Sequence, residues 1–186
     1  MRDIPHKAPT ASGDKGVASD GTRSWRLKCS VNGEPVDVMV DPTQTIFHVL
    51  REELRLTGTK GACLEGECGS CTILIDGKPV TSCLVLAPQV QGTSVTTVEG
   101  LADDDRLHPV QDSFIACGAV QCGYCTPGLV VSAAELLEGN PNPSEEEVRK
   151  GLAGNLCRCT GYTKIIDAVL AAASDDEEPA AAGAEP

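Results

Sequence analysis

Gln121-Cys122-Gly123-Tyr124-Cys125-Thr126-Pro127-Gly128 places two thiols three residues apart at the point where a helix is about to begin. Thr126 can cap that helix and Pro127 suits its first turn, where a missing N–H costs nothing. The unpaired N–H groups and the positive dipole end therefore face the cysteines, a good seat for a negatively charged thiolate centre. Two thiolates do not close a metal site. The pair needs partners, and Cys157-Arg158-Cys159, separated from Cys125 by thirty-one residues, is the candidate.

Around these cysteines the sequence reads as helical. Pro109-Val110 starts a helix with Val110, Phe114 and Ile115 inward, entered from Asp105 or His108, with His108 as a cap and an end near Gly118. A second helix runs from Pro127 to about Glu138, its apolar face formed by Leu129, Val130, Ala133, Leu136 and Leu137, and Gly139-Asn140-Pro141 stops it. Ser144 with Glu147 is a capping-box pattern opening a short helix through Val148 and Leu152. Thr160 or Thr163 begins a last helix with Ile165, Ile166, Val169 and Leu170 inward. Cys117, one turn before the pair, reads as packing.

The earlier half alternates instead. Leu27, Cys29 and Val31, then Asn32-Gly33, then Val36, Val38 and Val40 make a hairpin whose turn dipeptide tolerates positive φ. Cys29 lies on the apolar face as a small core residue; Met39, on the opposite face to the valines, is placed to lie under a neighbouring segment. Thr43 or Thr45 can cap a helix carrying Ile46, Val49, Leu50 and Leu54 that ends before Gly58, with His48 solvated or packing. Gly58 to Cys71 has no periodicity, further glycines (Gly61, Gly66, Gly69) and three cysteines, so it is a loop wrapped round something. Thr72–Ile75, Asp76-Gly77 and Pro79–Ser82 form a second hairpin delivering Cys83, and Ser94 to Val98 is a final strand. A small mixed sheet packed on one helix is expected.

Length and charge bound the rest. The chain has 186 residues, ten cysteines, five aromatic residues and a formal charge of −12. A half this small with so few aromatics commonly needs a staple, which bound metal supplies. The negative charge argues against nucleic acid or an anionic membrane as partner. No run reaches the length of a membrane span, and residues 1–23 lack the apolar block of a signal peptide. The expected location is cytoplasmic, where dense cysteines mean metal more often than disulfides.

Cys63-x4-Cys68-x2-Cys71, with Cys83 beyond, matches the plant-type ferredoxin spacing for a [2Fe-2S] cluster. Zinc knuckles usually come as C-x2-C-like pairs, and an x4 spacing on a glycine loop suits them less well. Cys122, Cys125, Cys157 and Cys159 form a second set, whose spacing alone separates zinc from iron–sulfur less clearly. The chain has no Ser/His/Asp set, phosphate-cradling glycine motif or dinucleotide fingerprint, so chemistry on a substrate belongs elsewhere.

QCGYCTPG and GNLCRCTGY, with GTKGACLEGECGSCTILIDGKPVTSC and VEGLADDDRLHPVQDSF, closely resemble the signatures of the iron–sulfur subunit of molybdenum hydroxylases, the family of xanthine dehydrogenase, aldehyde oxidoreductase and aerobic carbon monoxide dehydrogenase. The resemblance covers about residues 24 to 173. It implies an α+β chain: a plant-type ferredoxin-like β-grasp domain over 24–100, then an all-α four-helix-bundle [2Fe-2S] domain over 101–173. A flexible extension (1–23) and a disordered acidic tail (174–186) flank them. Cys63, Cys68, Cys71 and Cys83 would hold the first cluster; Cys122, Cys125, Cys157 and Cys159 the second. The second would lie nearest the molybdopterin of a separate large subunit, with Gln121 hydrogen-bonding the pterin and Cys159 close to it. Electrons would leave through the first cluster to FAD in a medium subunit, in a dimer of heterotrimers. The chain departs from the commonest family pattern at Ala62, at Ser70 and in its long N-terminal extension.

Overall fold

The computed structural model describes residues 15–17, 23–103 and 106–174. A six-stranded mixed sheet comes first. β2 (Arg23–Val31) and β3 (Glu34–Val40) form the first hairpin, with Leu27 opposite Val38 and Cys29 opposite Val36. Asn32 and Gly33, at φ 52° and 83°, supply the paired left-handed turn that right-twisted strands favour. β4 (Thr72–Ile75) and β5 (Lys78–Thr81) repeat the device through Asp76 and Gly77, at φ 48° and 75°. β6 (Ser94–Thr96) runs parallel to β2 and antiparallel to β4, joining the two hairpins into one sheet. The expected strand from Ser94 to Val98 ends at Thr96 because Val98–Leu101 turns into a 3₁₀ helix.

Within the expected 1–23 extension, Lys15–Val17 is a strand, β1, paired with the start of β2 beyond the point where β6 leaves it. Residues 1–14 and 18–22 of that extension, residues 175–186 of the tail, and Asp104 and Asp105 lie outside the described residues.

One helical segment covers the sheet, in an irregular form. α1 (Ile46–His48) passes directly into a π-helical turn, Val49–Glu53, with Leu54 N–H bonded back to Val49 C=O. The expected regular helix is thus replaced by a wider turn, which swings Phe47 inward alongside Ile46, Val49 and Leu50. Thr45 precedes α1 without capping it; its hydroxyl bonds the exposed His48 ring instead, at 2.9 Å. Met39 is 53% exposed rather than covered, because no described element crosses that face of β3.

Four helices build the second half: α2 (Pro109–Ala116), α3 (Thr126–Gly139), α4 (Glu145–Gly151) and α5 (Thr163–Ser174). They share one apolar core containing Val110, Phe114, Leu129, Val130, Ala133, Val148, Ile165 and Val169. Ile115 points outward at 66% exposure, the opposite of the expectation: α2 meets α5 and α3 along the Val110–Phe114 stripe, and Ile115 falls to the other side. α3 is buried on two faces, since Leu129, Val130, Ala133 and Ala134 belong to the helical core while the helix also packs against β4. No helix among the described residues is long and apolar enough to cross a membrane.

His108 caps α2 by accepting the Val110 N–H at Nδ1 (3.2 Å), while Gln111 reaches back to the His108 N–H at 2.9 Å. Burial holds the imidazole below its usual value of 6.5. A protonated ring cannot accept that bond, and it sets positive charge against the positive helix end. A depressed folded value means that the stability contributed is complete above the ordinary imidazole pKa and drains as pH falls below it toward the folded one. Thermal melts of His108→Asn, which keeps an acceptor without the titration, should therefore lose less stability than wild type between neutral pH and pH about 5.

Candidate metal centres

Cys63, Cys68 and Cys71 lie on one loop bent by residues at positive φ: Leu64 at 57°, Gly66 at 81° and Gly69 at 68°. At Gly66 the left-handed backbone disfavours any side chain, and a Cβ would also press on the Leu84 side chain, 2.3 Å away. The bending turns backbone N–H groups inward: those of Glu65 and Cys68 both donate to Cys63 Sγ, at 3.4 Å. Those bonds bring the Cys63 thiol down to about 7. Cys71 opens β4, and Cys83 comes from the 3₁₀ turn after β5. Ser82 fastens the two by giving its N–H and hydroxyl to the Cys71 carbonyl, at 3.2 and 2.7 Å. Phe47 packs on Cys71 and Cys83, and burial, followed by contact with Cys71, pushes the Cys83 thiol up to about 11. The thiols stand in contact as Cys63 with Cys68 and Cys71 with Cys83.

The second set follows the same plan with different parts. Cys125, rather than Thr126, occupies the cap position of α3, and no side chain caps that helix end. Thr126 has become the first helical residue, because its N–H turns back to Gly123 C=O, at 3.3 Å, over a left-handed glycine at φ 81°. The facing loop is held by Thr160, whose hydroxyl donates to Cys157 Sγ at 3.1 Å, and by Tyr162, whose phenol oxygen accepts the Cys157 N–H at 2.8 Å. Tyr162 adopts φ 69°, strained for an aromatic residue, directly after Gly161 at 65°. Burial raises Cys125 to about 12. Burial also pushes Cys157 upward, but the Thr160 hydroxyl and the Thr160 and Cys159 N–H groups outweigh it and bring the thiol to about 7. Cys159 is raised by its contact with Cys122. Here the pairs are Cys125 with Cys157 and Cys122 with Cys159.

Among the described residues no three His, Cys, Asp or Glu side chains gather on a single-ion position. Two thiol pairs in each half, close enough to act on one another, suit a two-iron cluster, in which each iron takes two protein ligands. The donor set is all sulfur, which suits that group. Cys29 and Cys117 stay apart from both sets: Cys29 packs against the sheet core, where burial raises it to about 11, and Cys117 packs against the helical core.

The two loops touch. Leu156 N–H donates to the Cys68 carbonyl at 2.9 Å, so one hydrogen bond and one peptide unit separate Cys68 from Cys157. Tyr124 OH donates to the Gly61 carbonyl at 2.5 Å. Outward from the seam, Gln121, Cys122 and Cys159 are exposed together with Val120 and Leu156. Sequence reasoning missed Phe47, Tyr124, Asn155, Thr160 and Tyr162. Tyr124, Asn155, Thr160 and Tyr162 all stand in the quoted cysteine motifs and were recoverable there, whereas Phe47 gave no such signal.

Residues 29–102 match the family described as a 2Fe-2S iron-sulfur cluster binding domain, and residues 97–170 that described as a [2Fe-2S] binding domain. The nicotinate dehydrogenase small FeS subunit of Eubacterium barkeri is 46% identical over 143 residues, 77% of this chain and 91% of that one. The nicotine 6-hydroxylase small subunit of Paenarthrobacter nicotinovorans is 53% identical over 144 residues, 77% and 87% of the two chains. Quinoline 2-oxidoreductase from Pseudomonas putida 86 superposes with a TM-score of 0.79 at 50% identity, covering 81% of this chain and 94% of that one.

Proposed function

Because this chain belongs to the family of small iron–sulfur subunits of molybdenum hydroxylases, we propose that it carries electrons from the molybdopterin of a large partner subunit, by way of two [2Fe-2S] clusters, to FAD in a medium subunit. Bound clusters supply one-electron exchange, which splits a two-electron oxidation into single steps. The chain's own residues do the rest. Cys63, Cys68, Cys71 and Cys83 hold one cluster; Cys122, Cys125, Cys157 and Cys159 hold the other. The Glu65 and Cys68 N–H groups and the Thr160 hydroxyl point at sulfur, where they stabilise added negative charge. Gln121 and Cys159 are both exposed; Gln121 would hydrogen-bond the pterin of the partner, with Cys159 close to it.

The observation that carries this proposal is the seam. A chain that merely stored two clusters has no need to join Cys68 to Cys157 through the Leu156 amide. On this proposal the domains are 24–100 and 101–173, α2 to α5 act as a four-helix bundle, and the complex is cytoplasmic, a dimer of heterotrimers. The test is purification from the native cell with metal analysis. Four irons per chain, two for each matched domain, together with molybdenum, FAD and two companion subunits are expected. Four irons without partner or molybdenum would indicate a free-standing carrier, and zinc in place of iron would overturn the proposal.

A further inference from the structure

Asn155 is 4% exposed, a buried polar residue in the loop leading to Cys157. Its amide nitrogen donates to the Gly69 carbonyl at 2.9 Å and to Thr72 Oγ1 at 3.2 Å, and its amide oxygen accepts the Ser132 hydroxyl at 2.8 Å. Thr72 Oγ1 in turn donates to the Gly69 carbonyl at 2.6 Å. One side chain thus ties three segments: the loop carrying Cys68 and Cys71, helix α3 that begins at the Cys122 and Cys125 pair, and its own loop to Cys157 and Cys159. The approach is close because two glycines meet there. A Cβ on Gly69 would lie 2.2 Å from the Gly154 carbonyl oxygen, and one on Gly128 would lie 2.2 Å from that of Gly69.

We propose that Asn155 is a positioning residue that fixes the separation of the two cluster-binding loops, as distinct from building either site. This rests on the cluster reading above. The side-chain partners of Asn155 are the Gly69 carbonyl and the Thr72 and Ser132 hydroxyls, none of them a thiol. An open cleft of about 190 Å³, lined among others by Thr72, Ser132 and Asn155, flanks the contact, so apolar packing does not close the seam on that side and the polar triad does. Its three bonds satisfy both ends of the amide in one orientation, which defines a single distance where a greasy contact could slide. Passage of one electron from one cluster to the other, with no bond or proton moved, depends steeply on that distance.

The test uses the holoprotein from its native cell, reduced with dithionite, comparing wild type with Asn155→Leu and Ser132→Ala. Asn155→Leu should keep the full iron content and the g-values of each centre, while the spin–spin splitting between them collapses toward two independent spectra. Ser132→Ala, which leaves both amide N–H donations in place, should narrow the splitting by less. Full iron with unchanged splitting in both variants would overturn the proposal; so would loss of one centre with the other intact, which would make Asn155 part of a single site. Should the leucine variant fail to fold, the serine variant decides by the same readout. Failure of the cluster reading is separate, because unsubstituted protein would then show no paired signals at all.

Discussion

Cys159→Ala is expected to abolish one of two EPR signals and halve the iron, leaving the plant-type signal of the first half in place. Cys159 is exposed and contributes nothing to either apolar core, so its loss acts through the metal and not through a cavity. Its thiol pairs with that of Cys122, so alanine leaves one iron position with a single protein ligand. The other set stands on its own loop, with its own N–H donors to Cys63 and its own Phe47 packing. Iron analysis with EPR at two temperatures reads the outcome. Cys117→Ala and Cys29→Ala, both outside the thiol sets, should retain both signals. Loss of both signals in Cys159→Ala would mean that the halves do not assemble their centres independently.

The two four-cysteine groups were legible in the sequence because their spacing is a local pattern, although for the second group spacing alone left zinc and iron–sulfur both open. The hairpins were legible because Asn32-Gly33 and Asp76-Gly77 are turn chemistry, a local property. What failed was decided by packing at a distance. Ile115 satisfied helical periodicity as well as Phe114 does, and only the placement of α5 shows which of the two turns inward. Thr126 had every right to cap α3, but the Gly123 bend moved the helix start back by one residue and gave the cap position to Cys125. The π-turn at Val49–Glu53 has no sequence mark; it accompanies burial of Ile46, Val49 and Leu50 in the sheet core and of Phe47 against Cys71 and Cys83. Asn155 stands in the quoted GNLCRCTGY, but its contacts could not be read there: its partners are scattered over Gly69, Thr72 and Ser132, and no local pattern joins them.

Gly128→Ala should destabilise the iron-loaded protein by about 3 kcal/mol or more, although the same change inside a helix ordinarily stabilises by about 1 kcal/mol. Gly128 is the third residue of α3, and propensity there favours alanine. Against it, the added methyl would stand 2.2 Å from the Gly69 carbonyl oxygen and 3.1 Å from Asn155 Nδ2. The first of these is backbone on the loop between Cys68 and Cys71, and no side-chain rotation relieves it. Either the loop or the helix must move, and movement breaks the Asn155 to Gly69 and Leu156 to Cys68 hydrogen bonds together. Gly139→Ala at the other end of α3 is the control, since a Cβ there meets nothing within 4 Å and propensity alone should act. Thermal unfolding of the two variants, with hydrogen exchange at the Leu156 amide, separates the terms. A lower melting temperature and a faster Leu156 exchange are expected for Gly128→Ala alone; equal and slightly raised melting temperatures for both would show that the two halves are not in contact through this helix start.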